Sequence, residues 1–439
     1  MRYALLLTLA VCLAAGTSVA KAVEAPTDLQ TEVTALKARI AEMEGQKSQQ
    51  WLTERRAEQV KDLIRDVLAD ADTRASLLEG GLTAGHNGQN FFLASEDGGF
   101  LLNIGGQIQL RYIANSRDGS ADDGEAGFVI ERAKVQFSGH VADPRISYKI
   151  QLAINDDTNN VSAEKAVISY ALSDGVTLWA GDDKAPFLRE ETVDSSHQTA
   201  VERSLVSETY TAGLIQGIGL AIDLSDDAKV QVALSDGVQS AEGAEDFDHD
   251  NSDIAVTARL DLKFGGSWAQ ADDFAAWSGE DTLVLVGAAI HWEDAETGNA
   301  GTNDSMTSWT IDAALETGGL SLFVAIAGTD NDNEVAADTD SYGYVIQGGY
   351  MVIPDTLEPF VRWEHLDLDD DTGGEVDILT FGANLYNDKH NSKLTVDVIW
   401  VLDDEGLTGV DNTAHGLLAD AAGDDDDQIA LRIQYQLLF

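Results

Sequence analysis

The chain has 439 residues, a hydrophobic content of 44% and a formal net charge of −50, which allows several soluble domains or one large barrel with an appendage. The negative field repels phosphate backbones, so the composition excludes nucleic acid as a partner. The single cysteine, Cys12, lies within the first 22 residues, which excludes disulfides and thiol chemistry from the chain that follows.

Residues 1–22 have the pattern of a secretory signal peptide. Arg2 supplies the positive start, the run from Tyr3 to Ala15 is apolar, and small residues follow at the cleavage position. We therefore expect the mature protein to leave the cytoplasm. No later stretch reaches the roughly 18 apolar residues of a membrane helix. A membrane-spanning form of this chain would therefore be a closed β-barrel.

Residues 23–80 predict a periplasmic α-helical or coiled-coil stalk. Apolar residues recur at alternating spacings of four and three, which is the seam of a coiled coil: Leu29, Val33, Leu36, Ile40 and Met43. A second helical run ends at Gly80-Gly81. A short seam needs partner chains to be stable, which favours a trimeric stalk. A linker helix packed on the barrel or on itself is the alternative.

From Phe91 onwards the hydrophobic pattern changes to strict alternation, which predicts strands. About sixteen segments of roughly ten residues each can be marked, the length that a tilted strand needs to cross a bilayer. Tight connections alternate with long acidic ones, as expected for a periplasmic and an external rim. The predicted fold is an all-β transmembrane barrel of about 16 antiparallel strands over residues 90–439. The segments lie near 100–115, 127–141, 145–155, 164–173, 175–182, 209–224, 228–236, 252–265, 282–293, 306–317, 318–328, 340–353, 356–367, 375–387, 391–403 and 427–439.

The last eleven residues, Ile429 to Phe439, alternate between apolar and polar side chains and end on an aromatic residue. A closing barrel strand faces lipid on one side and water on the other, which explains this pattern. Tyr435, Leu437 and Phe439 look like the signal read by the barrel-assembly machinery. We therefore expect outer-membrane lipid and that machinery as partners.

Four pieces of the chain resemble the phosphate-selective porin O/P family: Gly105–Tyr112, Phe128–Gly139, Leu178–Phe187 and Val201–Ser204. The resemblance implies a 16-stranded homotrimeric channel in the outer membrane of a Gram-negative-type bacterium. It also implies that the third external loop, here about 182–208, folds inward as the constriction. With its stalk, the chain also resembles porins of planctomycete-type bacteria.

Phosphate-selective members of that family line the pore with arginines and lysines, and this chain departs from that pattern. Residues 182–208 contain three basic and seven acidic side chains. Charged rings at a narrow point decide which ions enter. We therefore predict passive diffusion of small ions and solutes with a weak cation preference, with a phosphate- or anion-selective porin as the alternative. The predicted selectivity residues are Lys184, Arg189, Glu190, Glu191, Asp194 and Arg203. The predicted lumen-lining residues are Arg111, Arg132, Lys134, Lys149, Arg259, Lys263, Arg362 and Arg432.

Other functions have weaker support in the sequence. The acidic runs at 246–250 and 330–334 suggest calcium, but they lack the glycine and closing glutamate of an EF-hand, so we predict no metal site and no cofactor. Asp194-Ser-Ser-His197 contains nucleophilic residue types without a Gly-x-Ser-x-Gly elbow, so we predict no enzyme activity. A tether between the outer membrane and the cell wall, with residues 23–80 binding the wall, remains an alternative.

Overall fold

The computed structural model describes residues 81–88, 90–117, 124–154, 160–237, 254–297, 302–332, 338–368, 374–403, 406–407, 413–417 and 428–439. The chain divides into two compact units. The unit that carries the strands comprises Ala84–Ala94 and Gly98–Phe439. The predicted signal peptide and helical stalk lie outside the described residues.

The described residues form eighteen strands. Their bounds are β1 Leu82–His86, β2 Phe91–Ser95, β3 Phe100–Arg117, β4 Ala126–Val141, β5 Asp143–Ile154, β6 Val161–Ser173, β7 Val176–Lys184, β8 Leu214–Ser225, β9 Ala228–Ser235, β10 Ile254–Phe264, β11 Leu283–Thr297, β12 Thr302–Thr317, β13 Leu320–Asp332, β14 Thr339–Tyr350, β15 Leu357–Leu368, β16 Glu375–Asp388, β17 Ser392–Asp403 and β18 Gln428–Leu438. Helix α1 spans Arg189–Thr192 and helix α2 spans Leu205–Tyr210.

Strands β3 to β18 pair in sequence order as antiparallel neighbours, and β18 pairs back onto β3. The sixteen strands therefore close into a barrel. Each predicted segment overlaps one of these strands, so the prediction of a barrel of about 16 strands is confirmed. The β1–β2 hairpin, which extends the first barrel strand through the pair Phe91↔Ile104, was not predicted.

The two faces of the wall have the polarity that alternation requires. Large apolar side chains point outward and are exposed, for example Phe264 at 58% and Ile311 at 55% of their surface. Arg111, Arg362 and Arg432 point inward and are fully buried. A soluble protein rarely exposes so large an apolar area, whereas a lipid-facing barrel wall requires it.

The carboxyl terminus pairs with the first barrel strand, at the point where the barrel closes. The Gly106 N–H donates to the Phe439 carbonyl at 2.7 Å, and the Phe439 N–H donates to the Gly106 carbonyl at 3.1 Å. A Cβ at Gly106 would lie 2.4 Å from the Phe439 ring. Glycine is therefore required where the terminal aromatic ring crosses the first barrel strand.

The two rims differ in the length of their connections. At what we call the short-turn rim, a typical connection is Gly318-Gly319, whose φ values of 56° and 88° suit glycine. One connection there, residues 265–282 between β10 and β11, is much longer. The opposite end is called the long-loop rim. Within the described residues, no helix is long and apolar enough to span a membrane.

Candidate channel constriction

The connection between β7 and β8 folds into the barrel and forms the constriction loop, residues 185–213. It contains α1, a 3-10 turn at Ser195–His197 and α2. Its apolar side chains are buried: Phe187, Leu205 and Tyr210 are each 4% exposed or less. The loop was predicted at about 182–208. The strand before it continues to Lys184, and Leu205–Tyr210 is helical rather than part of the next strand.

The amino end of α2 is fixed by a buried carboxylate and a serine. The side-chain oxygen of Ser204 accepts from the Ser207 N–H at 3.0 Å, which caps the helix. Glu190 accepts from the Ser204 N–H at 2.7 Å and from its hydroxyl. Burial raises the pKa of the Glu190 carboxyl. The Leu205 N–H donates to Glu364 on the β15 wall, so the helix is tied to the barrel.

Glu202 joins the constriction loop to the part of the wall that β3 and β4 form. Its carboxylate accepts from Arg132 on β4 at 2.7 and 2.9 Å and from Arg111 on β3 at 2.9 Å. Burial would raise its pKa, but the two guanidinium charges hold the pKa of Glu202 well below its usual range. The loop therefore carries a permanent negative charge that neutralises lumen arginines.

The other inward arginines are also paired. Arg259 lies 2.6 Å from Asp261 and 2.8 Å from Asp312. Arg362 lies 2.6 Å from Glu364, and Arg432 lies 2.8 Å from Asp397. Two of them also bind the constriction loop: Arg259 donates to the Phe187 carbonyl at 2.7 Å, and Arg362 donates to the Glu202 carbonyl at 2.8 Å. They lie in the lumen but support the loop instead of presenting free charge to water.

A cavity of about 690 Å³ lies between the constriction loop and the wall formed by β3 to β6. Its charged lining mixes both signs: Arg132, Lys134, Lys184 and Arg203 with Glu164, Glu191, Asp194 and Glu208. Lys134 pairs with Glu164, and Arg203 lies 2.9 Å from Glu191. Lys184 lies 3.6 Å from Glu191 and 3.7 Å from Asp194. The lining therefore contains four basic and four acidic side chains.

Two loop carboxyls of the cavity have opposite pKa shifts. Burial would raise the pKa of Asp194, but the charge of Lys184 lowers it below its usual range. Burial, together with the charge of Glu202, raises the pKa of Glu208 to about 7. Glu208 is therefore a group of the cavity whose charge changes near neutral pH, while Asp194 stays ionised.

Lys149 on β5 is a lumen cation of a different kind. In the part of the chain that the structure describes, its ammonium group has no carboxylate within 4.0 Å. It does not line the cavity, but its charge lowers the pKa of Asp194, after that of Lys184. Lys149 is thus a lumen cation without a compensating carboxylate among the described residues.

The structure separates the predicted selectivity residues into two groups. Lys184, Glu191, Asp194 and Arg203 line the cavity. Arg189 and Glu190 are buried within the loop and do not line the cavity; the Arg189 guanidinium lies 5.3 Å from the centre of the Phe274 ring. Of the predicted lumen residues, Arg132 and Lys134 line the cavity. Lys263 lies near the short-turn rim and pairs with Asp227 at 2.8 Å.

A second inward segment, residues 265–282 from the short-turn rim, was not predicted. Phe274 and Trp277 are 4% and 6% exposed. The Trp277 indole N–H donates to Asp273 at 2.8 Å, and Asp273 lies 3.1 Å from His390. Burial lowers the pKa of His390 to about 4, so its ring is neutral at neutral pH. The aromatic and alanine run from Phe274 to Trp277 was a signal that this connection is buried.

A third segment enters from the long-loop rim between β17 and β18. The Ala414 and Gly416 carbonyls accept from Arg111 at 2.5 Å and from Asn115 at 2.9 Å. His415 lies 2.8 Å from the Arg203 carbonyl, and burial lowers its pKa to about 3. This contact also was not predicted, because residues 404–427 were expected to be an external acidic loop.

The serine and histidine residues of the 194–197 motif do not form a nucleophilic pair. His197 Nδ1 lies 2.9 Å from the Asp272 carbonyl, and the Ser195 hydroxyl accepts from Gln107 at 3.1 Å. Within the described residues, no hydrogen bond joins His197 to Ser195 or Ser196. The motif instead joins the constriction loop to the wall and to residues 265–282.

A lipid-facing barrel of sixteen strands, with a loop folded into its lumen beside a polar cavity, defines the class of outer-membrane channel proteins called porins. The sequence profile of the family "Phosphate-selective porin O and P" matches residues 102–437. The chain therefore belongs to the phosphate-selective porin O and P family, as the sequence resemblance indicated. Its outer-membrane location follows from that membership and from the fold. A comparison with curated protein sequences gives no match.

Solved porin structures share the fold at low sequence identity. An anion-selective porin from Comamonas acidovorans is 10% identical with a TM-score of 0.57, over 77% of this chain and 99% of that chain. OmpF of Salmonella typhi is 15% identical with a TM-score of 0.52, over 81% and 100%. The outer membrane channel DcaP of Acinetobacter baumannii is 12% identical with a TM-score of 0.51, over 78% and 99%. Family and fold are those of channels rather than enzymes.

Proposed function

We propose that this porin is a passive diffusion channel for small ions and solutes with a weak preference for cations. The observation that carries the proposal is the pairing of the cavity's cations. Arg132, Lys134, Lys184 and Arg203 each lie within 4.0 Å of a carboxylate. A phosphate ion would have to displace those carboxylates before it could bind, so the cavity lacks the cluster of free cations that phosphate capture requires.

The charge outside the cavity adds a second argument. Residues 80–439 contain 65 acidic and 17 basic side chains, a balance of −48. Residues 404–427 alone contain eight acidic side chains and no lysine or arginine. A negative mouth concentrates cations and depletes anions, although salt screens it beyond about 8 Å at physiological ionic strength. The preference should therefore weaken as the salt concentration rises.

Selectivity for anions is the second candidate, and Lys149 is the observation that favours it. It is a lumen cation without a carboxylate partner among the described residues, and the family includes phosphate-selective members. Single-channel recordings of wild type and Lys149→Gln in phosphate-containing buffer test this candidate. Phosphate block that disappears in the variant would favour the anion channel. Absence of block in both proteins would favour the general channel.

Solute flux tests the general channel directly. Proteoliposomes should swell in neutral sugars up to a size limit, and the rate should rise linearly with concentration. Saturation by phosphate but by no sugar would contradict a general channel. A protein that forms no channel but loses envelope attachment on deletion of residues 23–80 would be a tether.

The proposal also includes the oligomeric state of the protein and its route to the outer membrane. A homotrimer would supply the partner chains that the short predicted seam in residues 23–80 needs. The exposed alternate residues Tyr435, Leu437 and Phe439 on the last strand suit recognition by the barrel-assembly machinery. The signal peptide of residues 1–22 and a periplasmic position of the stalk complete the proposal.

A further inference from the structure

We infer that His365, Glu375 and Asp377 form a binding site for a divalent transition-metal ion of the Zn²⁺ type on the outer wall of the barrel. One ligand atom from each of the three side chains lies within 4.8 Å of the other two. The site is separate from the constriction and serves no step of diffusion. It lies towards the long-loop rim, where β15 ends and β16 begins.

The strand register brings the three side chains together. His365 is directly opposite Asp377, and Glu375 is two residues before Asp377 on the same strand. All three point outward, because they alternate with the buried residues Leu366, Val376 and Ile378. A histidine and two carboxylates on one face of two paired strands are held at fixed separations by the sheet, which is the preorganisation that a metal site needs.

Neighbouring aromatic groups orient two of the three ligands. The Trp363 indole N–H donates to Asp377 Oδ1 at 3.1 Å. The His365 ring stacks on Tyr344 with ring centres 4.9 Å apart and planes inclined by 30°. Contacts of this kind fix the orientation of metal ligands in established sites. Trp363 and Tyr344 also point outward, and such residues mark the level of the lipid headgroups.

The charge pattern supplies an independent reason for a bound cation. Asp367 is directly opposite Glu375. Like charges directly across a strand pair are destabilising. Among the ion pairs of the described residues, none joins Glu375 or Asp377 to a lysine or arginine. A divalent ion would therefore remove a repulsion that the described side chains leave in place.

The donor set selects the kind of ion. His365 Nδ1 and Asp377 Oδ1 are hydrogen-bonded at 3.2 Å, and a zinc ion would displace the proton between them. Their separation is close to the roughly 3.3 Å between two ligands of a tetrahedral zinc with bonds of about 2.0 Å. Three protein ligands leave the fourth position to water. Calcium prefers six to eight oxygen ligands, and magnesium retains its waters, so a nitrogen and two carboxylates suit neither ion as well.

Calorimetric titration of Zn²⁺ into the metal-stripped full chain, folded in detergent micelles at neutral pH, tests the site. A millimolar Mg²⁺ background occupies weak carboxylate sites. We expect one site per chain, with affinity reduced at least about tenfold in His365→Gln, Asp377→Asn and Glu375→Gln. Zn²⁺ should also raise the unfolding temperature of the wild type, because it binds the folded barrel.

His140→Gln is the matched control, because His140 is a histidine elsewhere on the barrel whose Nε2 lies 2.9 Å from the Gly98 carbonyl. It should bind Zn²⁺ as the wild type does. Circular dichroism and the heat-dependent shift of the barrel on gels show whether each variant is folded. The absence of a stoichiometric site in the wild type overturns the inference. So does a His365→Gln variant that is folded and binds Zn²⁺ with unchanged affinity.

Discussion

The guanidinium of Arg132 donates two hydrogen bonds to the carboxylate of Glu202, at 2.7 and 2.9 Å. Arg132 belongs to the barrel wall and Glu202 to the constriction loop, so this pair sets how far the loop approaches the β4 wall. The same pair removes from the lumen the free guanidinium charge that an anion would otherwise meet. Position of the loop and electrostatics of the channel are therefore coupled through one carboxylate.

Glu202→Gln should weaken the barrel and shift its selectivity. The substitution removes the nearest counter-charge of Arg111 and Arg132 and leaves them only Glu131, at 3.1 and 3.9 Å. Loss of one partner of a buried pair costs about 3 to 5 kcal/mol, and the remaining carboxylate and the water in the lumen reduce this figure. The two guanidinium charges, then only partly neutralised, should move the reversal potential towards that of chloride. Urea unfolding followed by tryptophan fluorescence and a bilayer recording measure the two effects. Asp223→Asn breaks an exposed pair at 3.8 Å and is the control, with a loss under about 1 kcal/mol. Equal behaviour of the two variants would contradict the role of Glu202.

The cation preference should depend on pH between about 6 and 8. Glu208 has its pKa raised to about 7 by burial, so it is neutral below that pH and negative above it. Raising the pH therefore adds one negative charge to the cavity and strengthens the cation preference. The folded protein binds this proton more tightly than the unfolded chain does. The free energy of unfolding should therefore fall as the pH rises and Glu208 becomes charged. Reversal potentials at a series of pH values should show the change in wild type and a smaller change in Glu208→Gln. Asp174→Asn, at a turn of the short-turn rim, should keep the wild-type profile.

Ser204→Ala should destabilise the constriction loop without changing its charge. The variant removes the cap of α2 and the hydroxyl donor to buried Glu190. Loss of a serine cap costs about 1 kcal/mol, and the loss of one of the two hydrogen bonds from Ser204 to the Glu190 carboxylate adds to this. Protease nicking of the folded protein should increase at residues 185–213, while the reversal potential stays near the wild-type value. Ser204→Thr retains the hydroxyl and should restore protection. Unchanged protease resistance in the alanine variant would show that the cap is dispensable.

Trp277→Ala should destabilise the barrel from its short-turn end. The ring is 6% exposed, and its centre lies 4.9 Å from that of the Tyr386 ring. Its removal leaves a cavity, which should lower the free energy of unfolding by about 3 to 5 kcal/mol. Trp268→Ala is the matched control, because that ring is only partly buried and lies 4.4 Å from the Lys229 ammonium group. The decrease in unfolding free energy should be clearly smaller in Trp268→Ala than in Trp277→Ala. Equal losses in urea unfolding would mean that residues 265–282 do not pack in the lumen as described.

The strands were predictable from the sequence because successive side chains of a strand point to opposite faces. The polarity of each residue therefore indicates which face it occupies. The outward Ile311 and the inward Asp312 follow from that rule alone. The path of the constriction loop was predicted only through the family resemblance, and its end was misplaced because Leu205–Tyr210 combines apolar residues in an order that suits a strand or a helix. The partners of Arg111 show the limit of the method. Glu202 is 91 residues away in sequence and Ala414 is 303 away, and no local pattern specifies such a contact.

The reversal potential of the purified porin in a planar bilayer under a KCl gradient tests the central claim most directly. We predict a reversal potential that is shifted from zero towards the potassium equilibrium potential. This shift should become smaller as the salt concentration rises and screens the acidic mouth, and added phosphate should not block the current. A potential on the chloride side, with block by phosphate, would contradict the proposed weak cation preference and would assign the chain the anion selectivity of its family.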